Sequence, residues 1–414
     1  MAEVEASGLK STRRALAAGA LALPFIARRG QAASAEVIKL GWLPSLTGAL
    51  ASAAIGFDHG VRFGVEEANK AGGIAGRPIE LVSRDTGSDP TKAVNFAQQL
   101  LFSEDVQFMA GPVNSGESLA TVPIIACAGV PNLVTGAVEE LIDPVKYPRA
   151  YRVANTTTQW ITTANDYSIN QLKKRKLAII GDTTGYGTAS TKRASDMARG
   201  GGAEVTYTAL VDPNKTDLAD EVTKARAAGA DVIMVWTAAS GLAARVLNTR
   251  GDLGWDVPIV GHPVLGTPAI RPLLNKPGYW DNTITAGYRS MSYGPDGKLP
   301  ERTQKLVDAI RPQLGGSEIQ FNFWWIALGY DLVRIVDHAV RGANGTKPAD
   351  IKRVLDGTKD LPGTFADYSW SATQHNGVPD SSMVANVSVV HGSALELWKA
   401  LEQFELVSIT VSQA

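Results

Sequence analysis

The 414-residue chain contains one cysteine, Cys127. A single thiol excludes an internal disulfide and a cysteine-built metal cage. Histidine is sparse too. His59, His262, His338, His375 and His391 are scattered without an HxxxH or HExxH spacing, so no metal site is expected. No G-x-S-x-G or G-x-x-x-x-G-K-[ST] motif occurs, and no catalytic constellation with diagnostic spacing is found, so the chain is not expected to be an enzyme. Gly181-Asp-Thr-Thr-Gly-Tyr-Gly187 evokes a dinucleotide loop but is not G-x-G-x-x-G, and no cofactor is expected. An excess of either charge is missing: Lys+Arg is 40 and Asp+Glu 41, giving a net charge of −1, which argues against a nucleic-acid partner. No stretch of about 18 uninterrupted apolar residues occurs, so no membrane-spanning helix is expected.

What is present is enough apolar material for a large core: 44% hydrophobic against 20% charged residues. The length suits two or three domains at roughly 100–200 residues each. The first 35 residues read as an export signal. Arg13-Arg14 precede an apolar stretch, Ala15–Ile26, and Arg28-Arg29 lead to a small-residue run with an Ala33-x-Ala35 cleavage site. The paired arginines and weakly apolar middle resemble a twin-arginine signal. Cleavage near Ala35 would leave a mildly acidic periplasmic protein. No cysteine stands directly after the cleavage site, so a lipid anchor there is not expected.

Along the remainder, short apolar runs alternate with helical stripes. Val37–Leu43, Ile79–Ser83, Val106–Ala110 and Pro131–Val134 read as strands; Phe57–Asn69, a helix from Pro90 capped by Asp89, and Ser115–Cys127 fall between them. The pattern restarts after Tyr151–Asn155. Strands are expected at Leu177–Ile180, Val205–Leu210, Val232–Trp236, Val257–Val260 and Thr283–Tyr288. The intervening helices are Tyr186–Arg199, Asp217–Ala228 and Ser240–Arg250. Such βα alternation predicts an α/β protein with two doubly wound parallel sheets. A third region holds helices at Phe321–Arg341 and Pro348–Leu355. Late antiparallel strands are expected at Tyr368–Trp370, Ala385–Val390 and Leu395–Lys399, with a turn at Asn376-Gly377.

In an open parallel sheet, ligands bind outside the carboxyl ends of the strands, where helix N-termini present unpaired N–H groups suited to a carboxylate. Three loops of the first unit converge there: Pro44-Ser-Leu-Thr-Gly48, containing Ser45 and Thr47, then Gly111-Pro-Val-Asn-Ser-Gly116, and Thr135-Gly-Ala137. Trp42, Trp160, Trp236, Tyr186 and Tyr288 fall at expected cleft edges and suggest stacking of a flat or apolar body.

The stretch Ile38-Lys-Leu-Gly41, Ser45-Leu-Thr-Gly48, Ala68-Asn-Lys-Ala-Gly-Gly-Ile74, Gly76-Arg-Pro-Ile79, Asp89-Pro-Thr-Lys-Ala93, Gly111–Gly116 and Tyr186-Gly187 resembles the substrate-binding proteins of branched-chain amino-acid-type ABC transporters. The resemblance covers residues 36–400. It implies a type I periplasmic binding protein with two lobes, 36–154 with 290–362 and 155–289 with 363–414, that close over a ligand. Chain crossings are expected near Val153–Thr156, Gly287–Met291 and Leu361–Phe365. It also implies a monomer that delivers its ligand to an inner-membrane permease. By the same resemblance Asn114, Ser115 and Gly116 would hold a ligand carboxylate, Ala137 and Val138 would form the next contact loop, and Tyr186 would line the second lobe. Trp236 and Thr237, at the start of the Trp236–Ala239 stretch, would line it too. One departure stands out. The loop that supplies an acidic partner for the ligand ammonium in amino-acid binders reads Gly261-His262-Pro263 here, without a carboxylate. A buried ammonium without a counter-charge costs several kcal/mol. The expected ligand is therefore an aromatic or apolar organic acid lacking an α-amine. An amino-acid or amide receptor or sensor of the same fold is the alternative.

Overall fold

A computed structural model describes residues 36–292, 298–314 and 323–387. The expected export signal at residues 1–35, residues 321–322 and 388–390 of two expected elements, and the expected strand at 395–399 lie outside the described residues.

The first unit runs β1 (Ile38–Trp42), α1 (Ala51–Lys70), β2 (Ile79–Ser83), α2 (Pro90–Phe102), β3 (Phe108–Ala110), α3 (Ser115–Ala128), β4 (Asn132–Val134) and β5 (Ala150–Arg152). The second runs α4 (Thr157–Asp166), β6 (Lys176–Asp182), α5 (Gly185–Gly200), β7 (Glu204–Val211), α6 (Ala219–Ala227), β8 (Val232–Trp236), α7 (Ser240–Asp252), β9 (Ile259–Gly261) and β10 (Thr283–Tyr288). Then come α8 (Glu301–Ile310), α9 (Phe323–Ala343), α10 (Pro348–Asp356), β11 (Leu361–Pro362), β12 (Asp367–Tyr368) and β13 (Met383–Val387).

Two sheets result. The first is parallel with order β2-β1-β3-β4-β5; the second has order β13-β10-β9-β8-β6-β7, parallel except for β13, which pairs antiparallel with β10. The α/β, two-sheet expectation therefore holds. Within buried parallel strands, alternate side chains feed opposite faces. Ile38, Leu40 and Trp42 of β1 join Phe57 and Val61 of α1 in one core cluster, whereas Leu43 and Met109 join Leu100 and Leu101 of α2 in another. In β8, Val232, Met234 and Trp236 share a cluster, and Ile233 and Val235 share the other with Leu242 and Leu247 of α7.

Several local expectations need correction. The helix expected at Phe57–Asn69 begins six residues earlier, at Ala51. The strand run Tyr368–Trp370 is a two-residue strand, β12, paired antiparallel with β11. The turn expected at Asn376-Gly377 is not there: Asn376 pairs with Arg152, the Gly377 N–H donates to the Arg152 carbonyl at 3.0 Å, and the bridge Ser371–Gln374 closes the turn. The indole N–H of Trp370 also reaches the Arg152 carbonyl, at 3.1 Å. Residues 370–377 are thus held to the edge of the first sheet. The return toward the second sheet lies between Gly377 and Met383, later than the expected Leu361–Phe365.

Helix α9 returns to the first sheet and crosses α1 backbone to backbone. A Cβ on Gly60 would lie 2.1 Å from the Ile326 carbonyl oxygen, and one on Gly329 2.3 Å from the Phe57 carbonyl oxygen. This close crossing carries the first turn of α9, with Trp324 and Trp325, to the carboxyl ends of the strands.

Candidate functional site

The carboxyl ends of β3, β4 and β5 from one sheet face those of β6, β8 and β9 from the other across a partly open cavity. It holds about 500 Å³ of atom-free space, part of it continuous with solvent. The first sheet contributes Val113, Asn114, Ser115, Thr135, Ala137 and Ala154, and α1 adds Leu50 and Ala53. From the other side come Trp160 of α4, then Thr184, Tyr186, Ala238 and His262; α9 adds Trp324 and Trp325. No charged side chain is among these lining residues.

Two helix N-termini meet at the cavity. Asn114 caps α3, its Oδ1 accepting the Gly116 N–H at 2.8 Å; Thr184 caps α5, its Oγ1 accepting the Gly187 N–H at 3.1 Å. The two helix starts touch: a Cβ on Gly185 would lie 2.7 Å from the Gly116 Cα. Their first-turn N–H groups and positive dipole ends converge on one small volume, which favours an anion. Ser115 Oγ accepts the Ala137 N–H at 3.1 Å and so ties α3 to the loop after β4. Behind that loop sits Arg152, fully buried, donating from Nη1 to the Ala137 carbonyl at 2.9 Å and from Nη2 to the Val138 carbonyl. Burial lowers the guanidinium pKa to about 10, against the opposing pull of Glu139 and Glu140, so it stays charged at neutral pH.

The opposite wall is aromatic. Trp160 lies edge-on to His262 at 4.7 Å and to Tyr186 at 6.0 Å between ring centroids, and 6.3 Å from Trp324, which stacks on Trp325 at 3.5 Å. The Trp160 indole N–H donates to the Tyr288 hydroxyl at 3.0 Å, which donates to Asn155 Oδ1 at 2.8 Å. His262 Nδ1 accepts the Val264 N–H at 3.0 Å, which leaves the ring proton on Nε2. Desolvation by complete burial lowers the His262 pKa to about 3, and burial pushes the Tyr186 phenol well up, so both stay neutral.

Of the residues expected to bind ligand, Asn114, Ser115, Ala137, Trp160, Tyr186 and His262 line this cavity. Gly116 lies beside it, at the contact with Gly185. The others are placed elsewhere. Trp42 is a core residue whose Nε1 donates to Asp58 Oδ1 at 3.1 Å. Ser45 is buried and donates to Glu117 Oε2 at 2.7 Å, and Thr47 donates to Asp85 Oδ2 at 2.9 Å. Val138 and Pro263 are buried outside the lining, and Trp236 is packed in the core below the second sheet's edge. Thr237 Oγ1 donates to Asp182 Oδ2 at 2.5 Å. Trp324 and Trp325 are lining residues that sequence reasoning missed. Their signal was the pairing of glycines inside two apolar helices, Gly60 and Gly329, which announces a close crossing.

Two facing α/β sheets with a small, partly open cavity between the ends of their strands define a two-lobed solute-binding receptor. The chain belongs to the periplasmic binding protein family, whose sequence profile matches residues 37–388. It is 30% identical over 377 residues to the Leu/Ile/Val-binding protein homolog 7 of Brucella abortus, covering 88% of this chain and 92% of that one. In fold it matches the branched-chain amino acid transporter substrate-binding protein LivJ of Streptococcus pneumoniae, solved with isoleucine. That likeness has a TM-score of 0.74 and 23% identity, over 85% of this chain and 96% of that one. It also matches an ABC-transporter solute-binding protein of R. palustris solved with 4-hydroxybenzoate, with a TM-score of 0.73 and 19% identity, over 86% and 94% of the two chains. The protein is a ligand-binding receptor of the ABC-transporter type. Among the described residues no helix is long and apolar enough to cross a membrane, and no cluster of three or more metal-ligating side chains occurs.

Proposed function

We propose that this receptor captures a small aromatic or apolar organic acid without an α-amine, after export to the periplasm, and presents it to an inner-membrane ABC permease. One observation carries the reading: the cavity lining contains no acidic side chain, while two helix N-termini converge on it. A carboxylate there receives N–H groups and dipole ends; an ammonium receives no counter-charge. The aromatic wall suits a flat body, and the R. palustris protein solved with 4-hydroxybenzoate shares the fold. The amino-acid alternative is favoured by the Brucella relative's name and by LivJ.

Binding works through a two-state hinge, and the lobes move about the segments Val153–Thr156, Gly287–Met291 and Val378–Ser382. A ligand that contacts both lobes only when they are closed favours closure by its differential affinity.

A thermal-shift panel tests the ligand class. Benzoate-like and phenylpropanoid acids at about 100 times Kd are expected to stabilise the chain by roughly 2.7 kcal/mol, with no shift from leucine. Stabilisation by leucine alone would overturn the reading in favour of an amino-acid receptor.

A further inference from the structure

We infer that the ligand carries, besides its carboxylate, an uncharged oxygen acceptor on the part that lies against the aromatic wall, and that Trp324 selects for it. The inference deepens the aryl-acid reading and rests on it.

An indole N–H can only donate. Most buried indoles of this protein are satisfied: those of Trp160, Trp280 and Trp370 donate to Tyr288 Oη, the Leu265 carbonyl and the Arg152 carbonyl. Trp324 is 5% exposed and lines the cavity, yet its Nε1–H meets no acceptor among the described residues. Its neighbours supply none in this structure. Trp325 stacks on it face to face, and the Tyr288 hydroxyl, on the ring 5.0 Å away, accepts from Trp160 and donates to Asn155 without meeting the Trp324 N–H. The Tyr186 hydroxyl, buried on the same wall, likewise makes no hydrogen bond of normal length among the described residues. Trp236 also leaves its N–H unmet, but it does not line the cavity.

Unmet buried polar groups are costly, and a ligand that satisfies them gains over one that does not. The required group is neutral, because the wall has no charged side chain and its histidine and phenol are both uncharged. A second carboxylate would have no counter-charge there. The class that fits is an aryl monoacid bearing a hydroxyl or carbonyl oxygen.

The test is calorimetric titration of the full chain with benzoate, 4-methylbenzoate, 4-hydroxybenzoate and 4-acetylbenzoate, repeated on Trp324→Phe and Tyr186→Phe. The wild-type chain is expected to bind the two oxygen-bearing acids about tenfold or more tighter than 4-methylbenzoate. Trp324→Phe should bring that ratio toward one while leaving 4-methylbenzoate affinity within about threefold. The ratio is taken within one variant, so a general loss of folded protein cancels. If Trp324→Phe fails to fold, the wild-type chain labelled with 15N-indole serves. One indole N–H resonance should move with 4-hydroxybenzoate and stay put with 4-methylbenzoate. A chain that binds all four acids alike, or a Trp324→Phe variant that keeps the full preference, overturns the inference and leaves the aryl-acid reading standing. A chain that binds none of the four removes both.

Discussion

His262 shows how one residue sets the chemistry of a wall. It stands in the Gly261–Pro263 loop, where the resemblance to amino-acid binders implies an acid. Its Nδ1 is used by the Val264 N–H, and its ring is enclosed by Trp160 and Tyr186. Because burial holds its pKa at about 3, the folded state carries it neutral while the unfolded chain protonates it near 6.5. The contribution is fully present above pH 6.5 and is lost as pH falls from 6.5 toward 3, at up to about 1.4 kcal/mol per pH unit. Urea unfolding at pH 7.5, 6, 5 and 4 measures this slope. His262→Asn keeps an acceptor near the Nδ1 position and is expected to flatten the slope by up to one proton. An unchanged slope would show that His262 is solvated. Since neither His262 nor Tyr186 titrates in the range, aryl-acid affinity is expected to be constant from pH 5 to 8. Two of the three tryptophans expected to line the cleft, Trp42 and Trp236, teach the converse lesson. Trp42 follows Ile38 and Leu40 at period two, and Trp236 follows Val232 and Met234, so both share the buried face of their strands. Position at a strand end suggested the cleft; parity along the strand assigned them to the core.

At the scale of elements, the β-strands and their connecting helices were legible because apolar runs and 3.6-residue stripes alternate cleanly. Helix α4 was not. Its sequence, Thr-Thr-Gln-Trp-Ile-Thr-Thr-Ala-Asn-Asp, is rich in β-branched and short polar residues of low helix propensity. Its readable mark is the capping box, in which Thr156 Oγ1 accepts the Gln159 N–H at 3.1 Å and Gln159 Oε1 accepts the Thr156 N–H at 2.8 Å. Helix α8 and the three-residue β5 were equally missed, the second being too short for periodicity to register. The site's Asn114–Gly116 turn was legible because a capping residue and a helix start sit together, whereas the α9 wall depends on a tertiary crossing marked only by two glycines far apart in sequence, Gly60 and Gly329. That crossing can be tested directly. The Gly60 Cβ position meets the Ile326 carbonyl oxygen and carbon, not a side chain that can swing aside. Gly60→Ala should cost about 1–3 kcal/mol by overpacking, despite the better helix propensity of alanine. Because α9 would shift with it, ligand affinity should fall more than stability alone accounts for. Urea unfolding and calorimetry on the same preparation separate the two effects. A variant as stable as the wild type would mean that the helices do not cross this closely.

For the whole molecule, the question is what holds the two sheets' units together. Trp324 meets Trp160 and Tyr288 across the cleft, the Thr158 N–H donates to Glu139 at 2.7 Å, and further links join the units. Gly116 meets Gly185, Ser52 Oγ lies 2.9 Å from Ser240 Oγ, and Leu50 enters the apolar cluster of the second sheet. Arg193 of α5 reaches Glu139 at 3.1 Å and Glu140 at 3.6 Å. These ion pairs are partly exposed, and such pairs contribute about 0–1 kcal/mol each. In the proposed two-state hinge, a bound ligand shifts the balance by its preference for the closed form. The Gly116–Gly185 contact is the narrowest of these links, since a methyl group at Gly185 would sit 2.7 Å from the Gly116 Cα. Gly185 is the first residue of α5, where alanine is compatible with the helix. Gly185→Ala is therefore expected to leave the ligand-free melting temperature near the wild-type value while weakening ligand binding about tenfold or more, because the two helix starts can no longer meet around the carboxylate. Small-angle scattering should register compaction of the wild-type chain on saturation with a tight ligand, and less of it for the variant at the same occupancy. Equal affinity and equal compaction in the two proteins would mean that the helix N-termini do not close on the ligand, and the anion site would have to be sought elsewhere in the cavity.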